Sequence, residues 1–128
     1  EGDHNNPAYT MEDALFDSLR MTPDRLVVGE VRDSAAYTVM DAWNTGHNGG
    51  ILTIHANRLK LALRRIHDLI RMKYEKGEFK SMIGDSVDIV VHMAKVGDIS
   101  RKVHSIISVK GYDEIKQDYI TVNECVEG

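Results

Sequence analysis

The stretch from Arg25 to Asn57 constrains this 128-residue chain more than any other. It reads RLVVGEVRD, then an interval of helix length, then WNTGHNGGILTIHAN. Two apolar runs, residues 26–28 and 50–55, each lead to a chemically active side chain, Glu30 and His55 respectively. Short β-branched runs separated by a helix read as parallel strands, and in parallel α/β sheets ligands gather at the carboxyl ends of the strands. The spacing therefore predicts a carboxylate and an imidazole at one sheet edge. Gly29, just before Glu30, permits close approach of another backbone. The largely apolar, β-branched character of residues 50–55 predicts a strand buried on both faces.

The flanking segments extend the alternation. Thr10 followed by Met11, Glu12 and Asp13 predicts an N-capped helix through about residue 21, stopped by Pro23. A second helix, over residues 34–45, takes Asp33 or Ser34 as its cap, turns Ala36, Val39, Met40 and Trp43 inward, and ends at Gly46. Ala62, Leu63, Ile66, Leu69 and Ile70 recur at helical spacing and predict the longest helix, residues 58–76, with Gly77 as its stop. A short helix over residues 79–83 follows. Three strands, residues 87–95, 102–110 and 119–123, with turns at Gly97-Asp98 and over residues 111–118, form an antiparallel tail. The pattern is one α/β domain, parallel strands with helices followed by an antiparallel C-terminal strand region, with no internal repeat or linker.

Composition, 42% hydrophobic and 28% charged, is that expected of a soluble intracellular globular piece. Sixteen basic residues against 20 acidic ones give a formal charge of −4, so there is no global electrostatic basis for binding nucleic acid. Cys125 is the single cysteine, which suits a reducing compartment. Residues 1–10 lack the basic start and apolar core of a signal peptide and read as a loop.

Glu30 can hold Mg²⁺ through water or orient an attacking water in a nucleotide site. A strand-terminal glutamate is also commonly a solvated or paired carboxylate. His55, with Thr53 and Asn57 nearby, can sense a phosphate by hydrogen bonding, or act as a structural histidine bonded to a carbonyl. Arg32 can pair with a carboxylate or reach a phosphate. Arg58, Lys60, Arg64, Arg65, Arg71 and Lys73 make the long helix basic, either as a solvated face or as a partner surface. Metal ligation by His47 and His55 lacks the HExxH or Cys/His pattern that would support it. No G-x-x-x-x-G-K-[ST] phosphate loop occurs, and the cluster at Gly46, Gly49 and Gly50 has no lysine to reach terminal phosphates.

Together, LRMTPDRLVVGEVRD and AWNTGHNGGILTIHAN resemble the type II/type IV secretion ATPase superfamily, in which LR-x-x-PD precedes a strand ending GE-x-R and TGH-x-G precedes a strand ending HAN. AWNTGH, with IGDSVDIVVHMAK and GYD in the tail, resembles the conjugal-transfer, type IV branch. The resemblance spans about residues 11–122. It implies that residues 1–128 are the C-terminal portion of a RecA-like P-loop ATPase domain, without its Walker A part. It also implies the Walker B role for Glu30, holding Mg²⁺ through water, and the histidine-box role for His55, linking nucleotide state to movement. Arg32 matches the arginine after the Walker B glutamate, and Thr53 stands with Glu30 and His55 on the nucleotide side.

For the complete protein the resemblance implies ATP and Mg²⁺ as cofactors and a ring hexamer of identical subunits in the cytoplasm, peripheral to the inner membrane and working with secretion components there. The ring would couple ATP hydrolysis to macromolecule transport or pilus assembly. This chain alone is expected to be inactive. The alternative is a non-catalytic docking module of a secretion machine using the basic helix and antiparallel tail, or a small nucleic-acid-binding domain. In RecA-like sheets the strand feeding the phosphate loop lies beside the strand corresponding to residues 50–55. Its absence predicts that residues 87–95 fill that edge, or that two chains pair edge to edge.

Overall fold

A computed structural model describes residues 8–126. The side chains of Cys125 and Val126, and residues 1–7, which carry most of the expected N-terminal loop, lie outside the described part. Helix α1 (Met11–Arg20) starts in a reciprocal capping box. The Asp13 N–H donates to Thr10 Oγ1 at 3.1 Å and the Thr10 N–H donates to Asp13 Oδ2 at 3.0 Å, which satisfies two backbone donors that the helix start leaves open. Helix α2 (Ala35–Asn44) is capped by the earlier of its two candidates. Ser34 already has helical backbone angles and makes no capping bond, while Asp33 Oδ1 accepts from the Ala35 N–H at 2.9 Å.

Strands β1 (Val27–Val28) and β2 (Ile51–Leu52) pair in parallel, Val27 opposite Ile51 and Val28 opposite Leu52. The expected strand over residues 50–55 is thus regular for two residues only. Bonds from Ile51 N–H to Leu26 O at 3.2 Å and from Val31 N–H to Thr53 O at 3.1 Å carry the pairing a little further at each end. The expectation of burial on both faces is corrected. Val28 is buried, but Val27 is 66% and Ile51 62% exposed, because the helices among the described residues cover one face of this pair and leave the other to solvent.

Helix α3 (Leu59–Arg71) buries Leu63, Ile66, Leu69 and Ile70 as its spacing predicts, but ends five residues short of residue 76. Tyr74 leaves the helical path to stack on Tyr37, ring centroids 4.9 Å apart, with Phe79 closing the cluster. Helix α4 (Lys80–Ser86) runs through Gly84. A Cβ there would stand 2.8 Å from the Gly111 carbonyl carbon and 3.0 Å from the Tyr112 nitrogen, so the glycine lets α4 lie directly on a strand backbone.

The tail forms a separate antiparallel sheet in the order β3 (Ile89–Val96), β4 (Ser100–Asp113), β5 (Asp118–Val126). The expectation that residues 87–95 fill the edge of β2 is therefore overturned. A three-residue turn delivers β4 to β3 at small loop-closure cost, and β3 makes its ladder there. β4 runs on to Asp113, into the start of the turn predicted over residues 111–118, because a bulge between Val109 and Gly111, with Gly111 at φ 137°, absorbs the break, and the turn itself takes residues 114–117. The core joins both halves: Val39 and Met40 of α2, Leu69 and Ile70 of α3, Ile83 of α4 and Val109 of β4 form one buried cluster.

Two substitutions test this packing. Replacing Thr10 by Ala removes the cap and should cost about 1 kcal/mol in denaturant unfolding. Gly84→Ala gains about 1 kcal/mol of helix propensity but forces α4 off β4 at a cost of about 1–3 kcal/mol, so a net loss of up to about 2 kcal/mol is expected.

Candidate functional site

The site lies where β1 and β2 end. Arg25 NH1 donates to Gly49 O at 2.8 Å, holding the glycine loop against the start of β1. A Cβ at Gly50 would overlap Leu26 O and the Trp43 indole nitrogen, so only glycine allows β2 to enter beside β1 under Trp43. At the carboxyl ends, Thr53 Oγ1 donates to Gly29 O. This bond and the Val31 N–H bond to Thr53 O lock the two strand ends together. Val31 is buried, which turns its neighbours Glu30 and Arg32 outward on either side.

Glu30 is the shared acceptor of the site. Arg32 NH2 lies 2.6 Å from its Oε2, and His55 Nε2 lies 2.9 Å from its Oε1. The Glu30 side chain is 24% exposed and the His55 ring 92%, so the carboxylate is recessed and the imidazole stands over it in solvent. The hydrogen bond from Arg32 is the main reason that the Glu30 carboxyl is held below its ordinary value, with the charges of Arg32 and His55 acting in the same sense and partial burial opposing them. Glu30 is thus an anion at neutral pH with both oxygens engaged by exposed donors.

All four sequence-predicted residues come together here: Glu30, Arg32, Thr53 and His55. Thr53 acts on the backbone, fixing Gly29, and its hydroxyl is committed to that bond. The backbone N–H of His47 donates to Ala42 O at 3.0 Å at the end of α2, and among the described residues no group of three or more metal-ligating side chains occurs.

The structure also adds residues that the pattern of the chain had assigned elsewhere. A cavity of about 450 Å³ beside His55 is lined by Asn57, Arg64, Arg65 and Asp68, so part of the basic face of α3 belongs to the neighbourhood of the histidine. The available signal was the short distance along the chain from His55 to the start of α3 at Leu59, which obliges the first turns of that helix to lie beside the imidazole. Arg64 is drawn toward Asp68 across one helical turn at 4.0 Å, an exposed pair of small energetic weight.

Residues 4–126 match the family described as type II/IV secretion system protein. The conjugal transfer protein TrbB of Rhizobium radiobacter is 40% identical over 109 residues, covering 85% of this chain and 33% of that protein. Protein VirB11 of Agrobacterium fabrum is 33% identical over 97 residues, covering 72% of this chain and 28% of that one. Among solved structures, the VirB11 ATPase of the Brucella suis type IV secretion system, in complex with sulphate, superposes with a TM-score of 0.67 at 24% identity. The match covers 76% of this chain and 31% of the other. The fold is therefore a partial RecA-like ATPase domain. The chain spans about a third of the length of the curated relatives it matches.

The carboxylate makes a direct pH prediction. A group whose folded-state pKa is lowered contributes stability above its unfolded value and loses that contribution as pH falls through the folded value. In an NMR titration the Glu30 side-chain carbon should titrate below the ordinary 4.5, and in Arg32→Ala its midpoint should move up. An unchanged midpoint in that variant would remove Arg32 as the cause.

Proposed function

Because this chain belongs to the type II/IV secretion system protein family, we propose that it is the C-terminal portion of the ATPase of a conjugal-transfer or type IV secretion machine. The observation that carries the reading is the Glu30 carboxylate held between Arg32 and His55 at the ends of two paired parallel strands. A recessed anion at that position suits Mg²⁺ held through water, or an attacking water, because magnesium is commonly bound through one or two carboxylates together with substrate phosphates. Glu30 is one carboxylate, and the sequence has no phosphate loop. The residues fit a nucleotide only as half of a site, completed by the phosphate-loop half of a longer ATPase.

In that setting each side chain has a defined task. Glu30, ionised at neutral pH, would hold Mg²⁺ through water or orient the attacking water, and for this one of its present donors would have to give up an oxygen. Arg32, released, is a flexible guanidinium of the right charge for a terminal phosphate. His55 reports that exchange, since its ring is bonded to Glu30 on one side and borders the Asn57–Arg64–Arg65 cavity on the other. Thr53 keeps the two strand ends in register while this happens. The Mg²⁺ and ATP chemistry, the ring of identical subunits, and the cytoplasmic placement peripheral to the inner membrane beside secretion components all belong to the complete protein. Among the described residues the Val27–Ile51 face of the two-stranded sheet is open, which supports a longer protein that covers it, since a parallel sheet is ordinarily covered on both faces.

Calorimetry tests the reading. Titration of millimolar Mg-ATP into this chain should show weak binding, with a Kd of roughly 1 mM, that is lost in Glu30→Gln and weakened in Arg32→Ala and His55→Ala. Binding indifferent to all three would overturn the assignment of the site. So would a signal abolished by Arg64→Ala with Arg65→Ala but not by Glu30→Gln, which would favour a docking module.

A further inference from the structure

At the far end of the antiparallel sheet, the β3–β4 hairpin reverses the charge of the molecule. Residues 93–103 read MAKVGDISRKV, three basic side chains against the one acid Asp98, in a chain whose formal charge is −4. Lys95 and Arg101 are direct cross-strand partners. Like charges placed opposite one another oppose the pairing they sit on, and among the described residues neither makes an ion pair.

The apolar residues around that pair are also turned to water. Ile99, in the turn, is 96% exposed, and Val96 beside it is exposed as well. Two residues back along each strand from the basic pair, and so on the same face, Met93 stands opposite Val103, both exposed. The face thus runs from an apolar pair to a basic pair to an apolar tip. A narrow, convex turn presents too little surface to a folded protein for stable docking. It suits an interface that accepts an apolar tip and supplies dispersed negative charge around it.

We propose that the β3–β4 hairpin is a contact site for an anionic lipid bilayer, with Ile99 at the turn entering the headgroup region and Lys95 and Arg101 held by lipid phosphates. Apolar residues flanked by cations partition to such surfaces, and each basic side chain near an anionic bilayer contributes roughly a fivefold gain in partitioning. The bilayer anions also remove the repulsion between Lys95 and Arg101. A second copy of the chain docked tip to tip would add two more cations to the same place. The proposal deepens the membrane-peripheral placement given above and rests on it. Its test does not involve nucleotide, so failure here leaves the Glu30 reading standing, and failure of that reading leaves this one measurable.

The test is co-sedimentation of this chain with vesicles of phosphatidylglycerol and phosphatidylcholine, and with vesicles of phosphatidylcholine alone. Binding to the anionic vesicles, falling as salt is raised, is expected. Binding should drop about 25-fold or more in Lys95→Glu with Arg101→Glu. Ile99→Ser should weaken it several-fold while the salt dependence persists. The double glutamate variant keeps two like charges opposite each other, so its fold carries a similar cross-strand repulsion. Lys95→Ala with Arg101→Ala relieves that repulsion and should still bind weakly, separating loss of charge from loss of fold. Equal binding to both vesicle types, no binding to either, or binding unaltered by these variants overturns the proposal. So does a dimer seen by light scattering that Ile99→Ser dissolves in the absence of vesicle binding.

Discussion

The parallel pairing of Val27–Val28 with Ile51–Leu52 is the smallest sheet a chain can make, and the candidate site depends on it. Two residues of ladder hold the ends of two loops that carry Glu30 and His55. The pairing survives because its neighbours are over-determined: Gly50 lets the strands meet under Trp43, Arg25 anchors the loop before β2, and Thr53 ties Gly29 across the far end. Were β2 displaced by one residue, its side chains would exchange faces, and the imidazole would leave the carboxylate.

Around that pairing the helices divide the work. Helix α2 is the common surface, with Val39 and Met40 completely buried, and it carries the chain from the Glu30 end of β1 back to the start of β2. Helix α3 does two things at once. Its apolar stripe closes the core through Leu69 and Ile70, while Arg64 and Arg65 border the cavity beside His55. The antiparallel sheet is fastened to this body through α4, where Gly84 meets Gly111, and through Val109 in the core. Its hairpin tip, far from those contacts in the register of the sheet, is free to carry apolar and basic side chains that the core does not need.

Much of this was legible because the signals were local. Thr10 with Asp13, the apolar stripe of α3 and the words ending in Glu30 and His55 each act within a few residues, and each element they predict is present. The errors have a common cause in non-local contacts. Helix α3 stops early because Tyr74 finds Tyr37, α4 outruns Gly84 because a distant glycine receives it, and β4 extends into the start of its predicted turn through a bulge. Ser34 looked as good a cap as Asp33, and only the backbone angles and the bond from the Ala35 N–H to Asp33 separate them.

The sequence by itself determined the kinds of element, the order in which they come, and which polar side chains stand at the strand ends, because periodicity, caps and strand-end residues are properties of adjacent positions. It also determined the family, through motifs whose spacing admits few other readings. Only the tertiary structure decided that Glu30 accepts from Arg32 and His55 together, that the basic face of α3 stands beside that imidazole, and that β3 turns away from the open edge of β2. Those outcomes depend on which distant surfaces bury one another, and burial free energy is a property of the assembled core that no window along the chain contains.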